Sequence, residues 1–270
     1  MKLTFIGGGN MANALVGGLI AKGAKRASLT VVEPVAAARR RLASRCRVRT
    51  CAAPDARALA ADTLVLAVKP QDMRAAAAPL AGRLGGALVI SIAAGIRLKD
   101  LSRWLGGHAK LIRCMPNTPA LIGAGITGLY APAGVSAAEK RRAERILGAL
   151  GATVWVGDEA LLDTVTAVSG SGPAYVFWFI EQLALAGESL GLAAEVSRKL
   201  ALQTVLGSAQ LAARSKEPPG VLRERVTSKG GTTAAALAVF EQARLAEHFR
   251  RAIEAASRRG AELGELLGRD

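Results

Sequence analysis

Leu3-Thr4-Phe5-Ile6-Gly7-Gly8-Gly9-Asn10-Met11-Ala12-Asn13-Ala14 opens the chain with a β-forming run, three glycines and the start of an apolar helical pattern over residues 11–22. Gly7, Gly9 and Ala12 form a G-x-G-x-x-A pattern. The first glycine permits a tight turn, the second lets backbone approach a pyrophosphate, and the alanine lets the helix pack closely on the strand. The helix start then offers free N–H groups and a partial positive charge to phosphates. Ile6, Gly7, Gly8, Gly9, Asn10 and Met11 are therefore the expected dinucleotide-phosphate loop. Residues 3–21 carry no charge, as a signal peptide or membrane span would, but the glycines, Asn10 and Asn13 interrupt the run. A strand, a turn and a buried helix explain the same letters better.

Working outward, strands are expected at residues 3–6, 29–32, 63–68, 88–92, 110–114, 126–129 and 153–156, several nearly continuous in Val, Leu and Ile. Such runs mark strands covered on both faces. Helical patterns at 11–22, 35–44 and 137–150 alternate with them, so the first part reads as a Rossmann-like, mostly parallel sheet with helices on both sides. The rhythm stops near Gly157. Beyond it lie only helical patterns, at 174–190, 195–214, 232–240 and 245–267, with breaks at 169–173, 218–220 and 229–231. The expected organisation is an α/β dinucleotide-binding domain over residues 1–157, then an all-α dimerisation and substrate-binding domain over 158–270.

The second expected strand ends at Glu33, where an acid hydrogen-bonds the adenosine ribose and disfavours a 2′-phosphate. Arg39, Arg40 and Arg41 lie one or two helical turns on, and are either phosphate ligands or plain surface charge. Glu33 tilts the reading toward NADH, and NADPH stays open. Strand ends also place Ala67-Val68-Lys69-Pro70, Ala93-Ala94-Gly95 and Asn117 at the cofactor cleft.

The formal net charge is +15, but the arginines are scattered through helical stretches with no recognition motif, so nucleic acid is not an expected partner. Cys46, Cys51 and Cys114 show no metal spacing and read as reduced cytoplasmic thiols. With two histidines, a His-rich metal site is not expected, and no membrane association is expected either.

Late in the chain, Val226-Thr227-Ser228-Lys229-Gly230-Gly231-Thr232-Thr233 precedes an apolar helix. Four hydroxyl residues flanking a double glycine exceed what one helix cap needs. They make a nest of N–H donors suited to a carboxylate. Ser169-Gly170-Ser171-Gly172-Pro173-Ala174-Tyr175 is a second such turn, with Pro at a helix start. Taken in order, IGGGNMA, AVKP, SIAAG, RCMPNTPA, SGSGPAY and VTSKGGTTAAAL resemble the pyrroline-5-carboxylate reductase family over essentially the whole chain. The last motif is the most specific.

The resemblance implies NAD(P)H-dependent reduction of Δ1-pyrroline-5-carboxylate to L-proline, with hydride delivered to the C=N carbon. It implies that Ser228 and Gly230 to Thr233 bind the substrate, with backbone N–H groups on the carboxylate and the Thr233 hydroxyl on the ring nitrogen as the catalytic contact. Lys229 stands where the family usually has Pro, and Arg225 where a polar amide sometimes sits. The resemblance also implies a homodimer at minimum. Residues 175–180 (Tyr-Val-Phe-Trp-Phe-Ile) agree, being apolar all the way round a helix. Two other readings compete with it. A 3-hydroxyacid dehydrogenase wants a Lys base on the first helix of the second domain, but residues 174–190 hold only Glu181 and Glu188 as charged groups. A non-catalytic dinucleotide sensor has no use for the late motif.

Overall fold

Eight short runs become strands: β1 (Leu3–Ile6), β2 (Leu29–Val32), β3 (Arg49–Cys51), β4 (Thr63–Leu66), β5 (Leu88–Ser91), β6 (Leu111–Pro116), β7 (Gly125–Tyr130) and β8 (Gly151–Trp155). They form one sheet in the order β3-β2-β1-β4-β5-β6-β7-β8, parallel except where β7 runs antiparallel to β6. The computed structural model describes residues 1–269.

The intervening segments of the sheet region are α1 (Asn10–Ala21), α2 (Ala36–Cys46), α3 (Ala56–Leu59), α4 (Met73–Ala77), α5 (Leu98–Trp104), α6 (Ala137–Leu147) and α7 (Leu161–Val165). Alternation within the strands sorts the core into two layers. Phe5, Val31 and Val65 meet Leu15 and Val16 of α1, Leu42 of α2 and Ile146 of α6. Ile6, Leu64 and Leu66 meet Met73 of α4 and Leu101 and Trp104 of α5 on the other face. Burial on both faces is why β1, β2, β4 and β5 read as unbroken β-formers.

The register puts the strand ends level. Phe5 pairs with Val31 on one side and Val65 on the other. The ladder runs on into the loops: Gly7 N–H donates to Val32 O, Ala67 N–H to Ile6 O and Ile92 N–H to Leu66 O. Gly7, Glu33, Ala67 and Ile92 thus emerge side by side at one sheet edge.

The helices that follow are α8 (Gly172–Ser189), α9 (Ala194–Arg214), α10 (Pro219–Arg225), α11 (Thr232–Gln242) and α12 (Leu245–Gly268). Two compact units result, residues 1–171 with the chain from Ala256 onward, and Gly172–Ala255. In the second unit α8 and α9 form a hairpin, where the Ser197 hydroxyl donates to Ala184 O at 2.6 Å across a position that Gly187 leaves open. Tyr175 meets Phe249 edge-to-face at 6.3 Å. Only Ala184, Ser197 and Ala201 of this unit are buried within the chain.

One cap has a measurable consequence. The Glu139 carboxylate at the start of α6 accepts from the Ser136 N–H (2.9 Å) and hydroxyl (2.7 Å) and pairs with Lys110 at 2.9 Å. The backbone bond from Ser136, then Lys110, hold its pKa down from 4.5 to about 2. A depressed carboxylate stabilises the fold above its unfolded pKa and loses that contribution as the pH falls. Glu139→Gln is expected to cost about 1–2 kcal/mol at neutral pH. The gap from wild type should close as pH falls from 4.5 toward 2. Urea titrations across that range check it; a pH-independent gap would assign the cost to packing.

Candidate active site

The glycine loop is built as the motif requires. Gly7 has φ +101°, and a Cβ there would lie 2.6 Å from Ala67 O. Gly9 caps α1 with no side chain bonded across the helix end, and a Cβ on Gly9 would meet nothing within 4 Å. The first amides of α1 therefore face outward, uncapped, past a residue without bulk. That cradle fits a dinucleotide pyrophosphate. Asn13 braces it, its amide donating to the carbonyls of Gly8 and Gly9 at 2.9 Å each.

Gly8, Gly9, Asn10 and Glu33 line one open cleft of about 870 Å3, together with Asn13, Ala14, Ala38, Arg41, Ser44, Arg45 and Leu121. Ile6, Gly7 and Met11 are not among its lining residues. The Glu33 carboxylate is already engaged: Gly8 N–H and Val35 N–H each donate to it at 2.8 Å. Arg39 is not among the lining residues, and its Nη1 donates to the carbonyls of Glu33 and Pro34 at 2.7 and 2.6 Å.

The other expected cofactor residues hold the ends of their own strands, outside this lining. Ala67 and Val68 are half-buried, Lys69 is exposed, and Pro70 starts a 3-10 turn. Ala93 and Gly95 are buried and Ala94 half-buried. Asn117 accepts the Ile126 N–H on its side-chain oxygen at 2.9 Å, which leaves its NH2 group free to donate.

A buried ionic cluster supports these loops, and residue spacing carries no sign of it. Arg113, 2% exposed on β6, lies 3.2 Å from Glu159 and 3.3 Å from Asp163. Arg97 reaches Asp163 at 2.6 Å, and Leu98 N–H donates to Glu159 at 2.8 Å. Buried charges persist only when paired and hydrogen-bonded, so four side chains here hold β6, α7 and the turn after Gly95 in one arrangement. Between α7 and α8 the chain winds through a π-helical turn over Thr166–Gly170, with Ser171 N–H donating to Thr166 O at 2.8 Å. A Cβ on Gly170 would lie 2.7 Å from Met115 Cε, so that turn packs directly on the Met115–Asn117 segment.

In the second unit, Gly230 takes φ +73° and Gly231 caps α11 without side-chain help. A Cβ on Gly231 would collide with Ser228 Oγ, so Ser228 is folded across the turn. Gly231 N–H donates to Ser228 O, and the first bond of the helix itself runs from Ala235 N–H to Gly231 O. The amides of Thr232, Thr233 and Ala234 are therefore available to an anion. Thr227 spends its hydroxyl on Arg223 O, whereas the Thr233 hydroxyl has no partner among the described residues. Ser228, Gly230, Gly231, Thr232 and Thr233 thus form one turn with outward amides, and the hydroxyls of Ser228 and Thr232 are, like that of Thr233, without a partner among the described residues. Among the described residues no group of three or more His, Cys, Asp or Glu is placed to hold a metal.

Comparison with known proteins agrees with both halves. Residues 159–263 match the model for pyrroline-5-carboxylate reductase dimerisation, and residues 2–95 that for NADP oxidoreductase, coenzyme F420-dependent. A pyrroline-5-carboxylate reductase of Pseudomonas aeruginosa is 46% identical over 99% of this chain and 98% of its own length. The structure of a pyrroline-5-carboxylate reductase from Coxiella burnetii matches with a TM-score of 0.92 at 41% identity, covering 97% of this chain and 98% of that one. The Plasmodium falciparum pyrroline carboxylate reductase with NADP bound matches with a TM-score of 0.85 at 31% identity, covering 98% of each chain.

Proposed function

The chain belongs to the pyrroline-5-carboxylate reductase family, and on that premise we propose that it reduces Δ1-pyrroline-5-carboxylate to L-proline at the expense of NADPH or NADH. The observation that carries the reading is the uncapped Gly-Gly-Thr-Thr turn, which sets a carboxylate-binding nest beside the unpartnered Thr233 hydroxyl.

When bound, the dihydronicotinamide supplies the hydride for the imine carbon. The chain's own residues do the rest. The amides of Thr232, Thr233 and Ala234 hold the substrate carboxylate. The Thr233 hydroxyl hydrogen-bonds the ring nitrogen, and so orients the C=N bond. The nitrogen becomes an amine as its carbon gains hydride. An imine that arrives protonated brings the proton it keeps, so no strongly acidic side chain is required. The protein's contribution is then positioning and charge complementarity. Saturating pyrroline-5-carboxylate should drive oxidation of NADPH or NADH with stoichiometric proline; no turnover above background with either cofactor would reject the reading. The 3-hydroxyacid alternative is disfavoured because α8 offers no lysine base.

The second unit works as a homodimer at minimum. Phe177 and Trp178 are 65% and 58% exposed in the single chain, and Leu200, Leu206, Leu211, Phe240 and Phe249 are exposed with them. An apolar surface of this kind is what an obligate interface covers, and two-fold pairing is the commonest way to cover it. Light scattering at low micromolar concentration should return at least twice the 27.8 kDa chain mass. A stable, active monomer would refute the interface. No described helix is long and apolar enough to cross a membrane. The three cysteines are free thiols, which supports a cytoplasmic setting.

A further inference from the structure

The last turns of α12 lie against the loop that follows β5. Residues from Ala256 onward belong to the first unit, and Gly264 is the one residue of α12 that is buried. A Cβ on Gly264 would lie 2.8 Å from Gly95 O and 3.2 Å from Arg97 Nε, so helix backbone rests directly on the Gly95–Arg97 turn. Glycine is a poor helix former, and here the close approach requires it. The neighbouring turns hold the helix in place. Leu267 packs against the core layer that contains Ile96, and Arg103 donates to Gly268 O at 2.7 Å. One turn earlier, a Cβ on Gly260 would stand 3.6 Å from Asp163 Cβ, an ordinary contact.

Arg97 is gripped from two sides. Its guanidinium meets Asp163 at 2.6 Å, and its Nε lies beside the α12 backbone at Gly264. Gly95 takes φ +77° and has no side chain with which to hold the turn, so the hold comes from Arg97 and the helix. Sheet order places β4, β5 and β6 on the side of β1 away from β2 and Glu33. A dinucleotide bound across such a sheet, with pyrophosphate at the glycine loop and adenosine toward β2, sends its nicotinamide toward those strand ends. The Ala93–Gly95 loop follows β5 there.

We propose that Arg97 and Gly264 are positioning residues for hydride transfer, the Arg97 side chain and the bare helix backbone together fixing the Ala93–Gly95 loop at the nicotinamide end of the cleft. This deepens the reaction proposed above and rests on it. Both residues act through the placement of the loop. Hydride crosses only between carbons held close and in line, so a small shift of the supporting loop slows the chemical step while the adenosine and phosphate contacts hold.

Gly264→Ala in the full chain tests this, because alanine favours the helix while its methyl displaces Gly95 O. The single-turnover rate of NADPH oxidation by pyrroline-5-carboxylate should fall about 10- to 100-fold. Calorimetric affinity for ADP-ribose 2′-phosphate, the part of NADPH without the nicotinamide, should stay unchanged. The change in dihydronicotinamide fluorescence on binding NADPH should shrink. Arg97→Lys keeps a cation beside Asp163 without the planar fork, and should lose less rate than Arg97→Ala. Gly260→Ala, whose methyl meets only an ordinary contact, should match wild type throughout. Wild-type rate and NADPH fluorescence in Gly264→Ala would overturn the assignment. So would equal losses for NADPH and its nicotinamide-free fragment in both Gly264→Ala and Arg97→Lys, the mark of a loosened fold. If the wild type reduces no pyrroline-5-carboxylate, a smaller fluorescence change with intact fragment binding in Gly264→Ala sustains the loop assignment and rejects the reaction instead.

Discussion

Gly9→Val is expected to weaken NADPH and NADH alike by more than about 100-fold, because the second glycine of the motif is where backbone meets pyrophosphate. The folded protein itself has room for the side chain. Gly9 sits in extended backbone, φ −70° and ψ −172°, and a Cβ there meets no atom within 4 Å. Stability should therefore change by about 1 kcal/mol or less, chiefly from a poorer helix cap. The added isopropyl group would instead occupy the space in front of the uncapped α1 amides. Gly7→Val makes the contrast: its positive φ and the 2.6 Å approach to Ala67 O would strain the fold before any ligand arrives. Nucleotide titrations and thermal melts on Gly9→Val separate the two effects. A variant with wild-type affinity would remove the glycine loop from the cofactor site.

Thr233→Ala should lower kcat/KM for pyrroline-5-carboxylate about 10- to 150-fold, the equivalent of one hydrogen bond to a charged group. The amides of the nest belong to the backbone and survive the change. The hydroxyl has no partner within the described residues, so its loss costs the fold little. Nucleotide affinity should not move. Thr233→Ser restores the hydroxyl and should recover most of the rate. Wild-type kinetics in Thr233→Ala would reduce the residue to one more position in a helix start.

The two predictions draw on parts of the chain that differ in how openly they are written. Strand, glycine turn and helix at Leu3–Ala21 are legible because local pattern and burial agree, and β2, β4 and β5 are legible for the same reason. The edge strand β3 is not. Arg49, Thr50 and Cys51 are half-buried, so no apolar run marks them. The antiparallel direction of β7 is invisible as well, since a strand carries the same residues in either direction. Ser169 to Pro173 reads as a break between elements, but the backbone keeps winding through the π turn, and the Ser169 hydroxyl bonds back to Val165 O at 2.9 Å. In the site, the positions of Gly9 and Thr233 follow from motif and helix start. The places of Asn13 and Arg45 in the cleft lining do not, because they depend on how α1 and α2 flank it. The Arg113 cluster joins residues 46 and 50 positions apart and has no local signature.

Hydride delivery to an imine carbon leaves its mark in the product, where isotope transfer can be read. The protein should be incubated with pyrroline-5-carboxylate and NADPH carrying deuterium at both C4 positions of the dihydronicotinamide. L-proline with a single deuterium at C5, the former imine carbon, is the expected product. Unlabelled proline, label elsewhere in the ring, or no proline would contradict it.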